Sequence, residues 1–229
     1  MSAPLPARED YTLSADDFAT LHASMQRFVA AHMGGHDSSH DYSHVERVGR
    51  LADTLTRTDD DARLVRLAAL LHDVDDHKYG GSSDGGGGRV EDVLLARDCP
   101  AALARAVAAV VRHVSFSREI ANPAAVAAAL AVFPELAVVQ DADRLDALGA
   151  VGIARCFVFG AAVRRAPLCA CVAHFGEKLV RVEGLMKTPR GREMARERTR
   201  RIYEFWEWWK DETGDAPEEK QEGKAVGSE

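Results

Sequence analysis

The chain has 229 residues, 46% of them apolar and 28% charged, with a formal net charge of −7. That length suits a single domain with a sizeable core, and no apolar run approaches the ~20 residues that span a bilayer. The acidic balance excludes a general affinity for nucleic acid, whose phosphates would repel it. The amino-terminal MSAPLPARED has no apolar h-region of a secretion signal, so a cytoplasmic protein with no membrane partner is expected.

Residues 1–13 read as a lead. Ser14 is placed to cap a helix from Asp16 to Met33, with Phe18, Leu21, Met25, Phe28 and Val29 as its apolar stripe. GGHDSSHDYS is a loop by composition. A second helix runs from about Tyr42 to Arg57, turning Val45, Val48, Leu51, Ala52 and Leu55 inward, until TRTDDD breaks it. The third spans Ala62 to about Asp76. GGSSDGGGG, from Gly80 to Gly88, lacks the strand before it and the G-K-[ST] after it that a phosphate loop needs, and reads as a flexible loop.

Helices are expected over Arg89–Arg97 and over Pro100–Val114, where Pro100 suits a first turn. A short Ala-rich helix lies between Pro123 and Pro134. Leu136 to about Val163 reads as one long helix, apolar on most sides and so central. Leu168–Leu185 and Arg190–Lys210 follow, and RGREMARERTRR within the latter is expected to be a solvated basic face. Cys99, Cys156, Cys169 and Cys171 form no C-x-x-C pair and read as small buried hydrophobes. Nothing alternates with period two between turns and nothing repeats. The expected fold is all-α, a globular multi-helix bundle over residues 14–212, with a disordered polar tail at 213–229.

The stretch LLHDVDDHKYGG carries His72, Asp73, Asp75, Asp76, His77 and Lys78 directly after an apolar helix. On a continued helix His72 and Asp76 share one face, and Asp73 and His77 the next. Unpaired charge beside a core is expensive, and a divalent cation would compensate it. His44 lies on the edge of the apolar stripe of DYSHVERVGRLA, and Asp143 lies in VVQDADRLDALGA. Each is ordinary by itself, but the ordered pattern H…HD…D is specific. Two imidazoles and two carboxylates suit Mn²⁺, Fe²⁺, Co²⁺, Ni²⁺, Zn²⁺ or Mg²⁺ without choosing among them.

HDYSHVERV, LAALLHDVDDHKY, VVQDADRLDALGAVGIAR and HFGEKLVRVEGLMKT…GREMARERT together resemble the HD-domain superfamily of metal-dependent phosphohydrolases, and within it a small stand-alone subgroup, over residues 15 to 210. The resemblance implies His44, His72, Asp73 and Asp143 as metal ligands. The superfamily's Ala-Asp-x-Leu context favours Asp143 over Asp141, because only Asp143 opens from ADRL. It also implies Asp76 as general base, with a structural cap or salt bridge as the alternative. His77 and Lys78 are candidates to contact phosphate or protonate the leaving oxygen. Arg47, one turn after His44, is a candidate phosphate ligand. His113 is a candidate substrate contact or a core histidine. His40 and Asp41 would orient His44.

The substrate so implied is a small phosphate ester, with nucleotides among the candidates. Two rivals stand. A di-iron oxygenase of the same fold would need further histidines before the distal aspartate, where only His77 and His113 lie. A metal-binding regulatory module without activity would have no need of Asp76. Tyr203, Phe205, Trp206, Trp208 and Trp209 are expected in the core, with a homo-oligomer contact as the alternative.

Overall fold

The computed structural model describes residues 5–33, 42–74 and 88–214, apart from the side chains of Glu177 and Lys178. His40, Asp41, Asp75, Asp76, His77, Lys78 and the glycine-rich loop therefore lie outside the described residues. All regular structure among the described residues is helical, and they contain no strand.

Helix α1 (Ala15–Met33) starts where Ser14 Oγ accepts the Asp17 amide at 3.0 Å. Helix α2 (Tyr42–Leu55) buries Val45, Val48, Leu51, Ala52 and Leu55, as its periodicity requires. Helix α3 (Ala62–Leu71) is capped by Asp61, whose carboxylate accepts the amides of Arg63 and Leu64 at 3.1 and 3.2 Å. Then come α4 (Gly88–Leu95), α5 (Ala101–Arg112), α6 (Phe116–Ala121) and α7 (Pro123–Val132). Helix α8 (Glu135–Asp146) lies at the centre, against α2, α3, α7 and α11 (Pro189–Thr213). Its Leu136, Val139, Ala142 and Leu145 are wholly buried, together with Leu67 and Leu71 of α3 and Leu103 and Val107 of α5. Each of these leucine and valine side chains contributes about 1.5–3 kcal/mol relative to exposure.

The expected long helix from Leu136 to Val163 is two. Helix α8 stops at Asp146, Leu148 is extended, and α9 (Gly149–Phe159) leaves at 68°. The break is built on Gly149, whose φ of +69° few side chains tolerate. Apolar periodicity runs through the bend because both arms are packed, so the pattern does not mark it. The third helix also ends earlier than expected. Its helical bonds stop at Leu71, and a tighter turn follows in which the Val74 amide bonds Leu71 O at 3.1 Å. The segment expected as one helix over Leu168–Leu185 is α10 (Leu168–His174), then a π-helical turn and a 3₁₀ turn. Cys169 is exposed rather than buried. Phe205, Trp206 and Trp209 pack on the core with Phe157 and Phe175, while Tyr203 and Trp208 are exposed at 50% and 64%. Among the described residues no single helix is long and apolar enough to cross a membrane.

Residues 5–13 form a strap across one end of the bundle. Arg8 makes a two-pronged ion pair with buried Glu135 at 2.9 and 2.7 Å. Tyr11 donates its hydroxyl to Asp61 at 2.7 Å, and the Asp61 amide bonds Glu135 Oε1 at 3.1 Å. The amino ends of α3 and α8 are thus tied together in one polar knot.

Candidate metal centre

The other ends of the same two helices meet His44 near the start of α2. His44 Nε2 and His72 Nε2 stand 3.2 Å apart. Asp73 Oδ2 is 3.5 Å from each of them. Asp143 Oδ1 is 3.5 Å from His44 Nε2 and 3.8 Å from His72 Nε2. The donors of His44, His72 and Asp143 all fall within 4.8 Å of one another. The imidazoles are buried, with only 2% of each side chain exposed, while Asp73 and Asp143 keep 17% and 28%.

Both rings are tied down from behind. His72 Nδ1 lies 2.8 Å from the carbonyl of Ala69, which can only accept, so that nitrogen carries the proton. His44 Nδ1 lies 2.8 Å from Asp146 Oδ2 and carries a proton likewise. With Nδ1 engaged from behind, each ring turns Nε2 toward the same region, which the Asp73 and Asp143 carboxylates also approach. Such an arrangement calls for a positive species at its centre. Burial works against a charge on His44, but its hydrogen bonds to Asp143 and Asp146 outweigh that and raise its pKa to about 9. Burial alone would raise the Asp143 pKa, yet the hydrogen bond to His44 and the nearby His72 hold it well below the usual carboxylate range. A six-coordinate cation with bonds of ~2.1 Å needs neighbouring donors about 3.0 Å apart, and a tetrahedral one about 3.4 Å. The separations of 3.2–3.8 Å among His44, His72 and Asp143 fit either with small adjustments, while Asp73, 3.5 Å from both imidazoles, lies outside that three-residue group.

The two aspartates of QDAD have different surroundings. Asp141 is wholly buried and points away from the imidazoles, accepting the amides of Lys187 and Thr188 at 2.9 and 2.7 Å and the Thr188 hydroxyl at 2.8 Å. It fixes the start of α11, where a side chain at Gly191 would collide with it. The structure brings Asp143, not Asp141, to the histidines. Arg47 lies beside the cluster, donating from Nε and Nη2 to Asp146 at 2.7 and 3.0 Å. His113 ends α5 with Nδ1 2.7 Å from Ala109 O and is not in the His44–His72–Asp143 group. Burial lowers its pKa. The nearby Arg144 is structural, joined to Glu119 and to Leu185 O, while Lys187 bonds the same Glu119 at 3.0 Å.

Two residues at the centre have no role in the sequence reading. Asp146 follows Asp143 by three residues on one helical face, and that spacing was the available signal. Arg155 Nη1 reaches Asp146 Oδ2 at 2.9 Å. On an unbroken helix nine residues would separate them by about 13.5 Å, so only the bend at Gly149 brings them together.

Residues 41–148 match the HD domain family. The uncharacterised protein YpgQ of Bacillus subtilis is 34% identical over 188 residues, covering 79% of this chain and 88% of its own. The crystal structure of YpgQ in complex with ADP superposes with a TM-score of 0.70 at 28% identity, over 86% of this chain and 96% of that one. A Lactobacillus plantarum structure gives 0.71 at 29% identity, over 89% and 100% of the two chains. An HD-superfamily hydrolase of Bacillus thuringiensis gives 0.67 at 28%, over 87% and 100%. Together with the helical bundle and its His–His–Asp cluster, these likenesses show that the chain belongs to the HD-domain superfamily of hydrolases.

Proposed function

We propose that this chain is a metal-dependent phosphohydrolase whose substrate is a small phosphate ester of the nucleotide class. The observation that carries this reading is the convergence of the His44 and His72 Nε2 atoms and the Asp143 carboxylate, with Asp73 3.5 Å from both imidazoles. His44, His72, Asp73 and Asp143 would hold the cation. When bound, it supplies a Lewis acid for a phosphoryl oxygen and lowers the pKa of a water toward ~7. The protein's own part is to aim the donors and to move protons. Asp76 is assigned to take the proton of the attacking water, and His77 and Lys78 to contact phosphate or protonate the leaving oxygen; all three rest on the order LLHDVDDHK. Arg47 sets a positive charge beside the imidazoles for an anionic substrate. His113, kept neutral by burial and with Nδ1 committed to Ala109 O, has Nε2 to offer. The nucleotide class is supported by the ADP held in the YpgQ structure.

The test is metal analysis of the purified protein, then phosphate or pyrophosphate release from a panel of nucleotides and simple esters with Mn²⁺, Co²⁺, Ni²⁺ and Mg²⁺. The expected result is bound divalent metal and turnover that a chelator abolishes. A protein that takes up none of these ions, or turns over nothing on the panel, overturns the reading.

A further inference from the structure

We infer that Asp146 is a positioning residue for the metal centre: it fixes His44 in the tautomer and orientation that aim Nε2 at the cation, and Arg47 and Arg155 hold Asp146 in that pose. The inference rests on the metal-centre reading above.

His44 is 2% exposed, so its Nδ1–H cannot turn to water and must find an acceptor within the protein. Asp146 Oδ2 is that acceptor, at 2.8 Å. Asp146 is 1% exposed, and a buried carboxylate is tolerated only with a full set of donors. Among the described residues it has four contacts: the imidazole, two from Arg47 at 2.7 and 3.0 Å, and one from Arg155 at 2.9 Å. One falls on Oδ1 and three on Oδ2. The donors come from α2 on one side and α9 on the other, so the carboxylate plane cannot rotate without losing an ion pair. Asp146 also shares a helical face with Asp143. A ligand and the brace of a second ligand are therefore parts of one rigid rod, and the distance from Asp143 to His44 is set by α8 itself. A carboxylate behind a ligating imidazole also raises its basicity as a donor.

The experiment compares wild type, Asp146→Asn and Asp143→Asn. It measures Zn²⁺ affinity by competition with a chromophoric chelator and the His44 ring-nitrogen resonances of the Zn²⁺-loaded protein by ¹⁵N NMR. In Asp146→Asn the new amide would face Arg47 with its own N–H groups, so this variant should weaken Zn²⁺ by about 10–100-fold and shift or broaden the His44 Nδ1–H resonance. Asp143→Asn should weaken Zn²⁺ but leave that proton on Nδ1. Should Asp146→Asn not fold, Arg155→Gln removes one of the four contacts and should give a smaller change of the same kind. Unchanged affinity and unchanged ring resonances in the folded variant, with a lowered Tm only, would make Asp146 a plain structural ion pair and overturn the inference. A wild-type chain that takes up no Zn²⁺, Mn²⁺ or Co²⁺ overturns the metal centre itself, and is told apart because the defect is then not confined to the variants.

Discussion

Only Ala142 separates Asp141 from Asp143, and the two aspartates ask to be tested as a pair. Asp143→Asn should abolish or severely weaken divalent metal binding with little change in Tm, because the side chain faces the imidazoles. Asp141→Asn should leave metal binding largely intact and lower the Tm, since one of the two oxygens that accept from Lys187 and Thr188 becomes an N–H donor facing those donors; leaving such buried donors poorly paired costs about 1–3 kcal/mol. The opposite order in a metal titration would move the ligand to Asp141. At Asp76 the expected outcome is chemical: Asp76→Asn keeps the metal while kcat falls about 10²–10⁴-fold, mostly without a change in KM. A fully active, metal-loaded Asp76→Asn protein would remove it from the mechanism. His44, His72, Asp73 and Asp143 stood out in the sequence because their ordered pattern resembles that of the HD-domain superfamily, and the structure brings their side chains close together. Asp146 was half legible, through its spacing from Asp143. Arg155 was not legible at all, because its partner is reached only through a bend that the sequence pattern hides.

Among elements, the α8–α9 break decides what the centre contains. Gly149 holds φ at +69°, and an added Cβ would press on Arg198 Cβ at 3.3 Å. Gly149→Ala should therefore destabilise the fold by about 1–2 kcal/mol, the cost of a left-handed residue with a side chain, measured by urea denaturation. Wild-type stability in that variant would mean that the bend does not depend on glycine. Most helices were readable, since caps such as Ser14 and Asp61 and prolines such as Pro123 coincide with the start of an apolar period. The segment from Leu168 to Leu185 was not. Its π and 3₁₀ turns shift the period away from 3.6, at a place where Phe175 packs against Phe205 and Trp206 of α11, a distant contact the local sequence does not display.

At the scale of the molecule, Glu119 of α6 joins Arg144 of the central helix to Lys187 ahead of α11. Burial pushes its pKa up, but the bonds to Lys187 and Arg144 prevail and the net shift is downward. A depressed carboxyl pKa adds stability above the pKa of the unfolded group, ~4.3, and loses it as pH falls through the folded value. The stability difference between wild type and Glu119→Gln should thus be largest near neutrality and shrink below about pH 4; a difference that stays constant down to about pH 2 would deny the ion pairs their part. The strap of residues 5–13 works over a longer distance. It rivets α3 and α8 at Asp61 and Glu135, and the same two helices hold His72, Asp73 and Asp143 at their far ends. They act as the two blades of a pair of tweezers, closed at the grip. Over a blade of about ten residues, about 15 Å, a slip of about 5° at the grip opens the tips by about 1.3 Å. That is enough to take a carboxylate out of coordination range. Trimming the amino-terminal segment, or fusing a bulky partner against it, is therefore expected to weaken divalent-metal uptake at the proposed centre without altering any of its candidate ligands, as a metal titration of the trimmed chain would show.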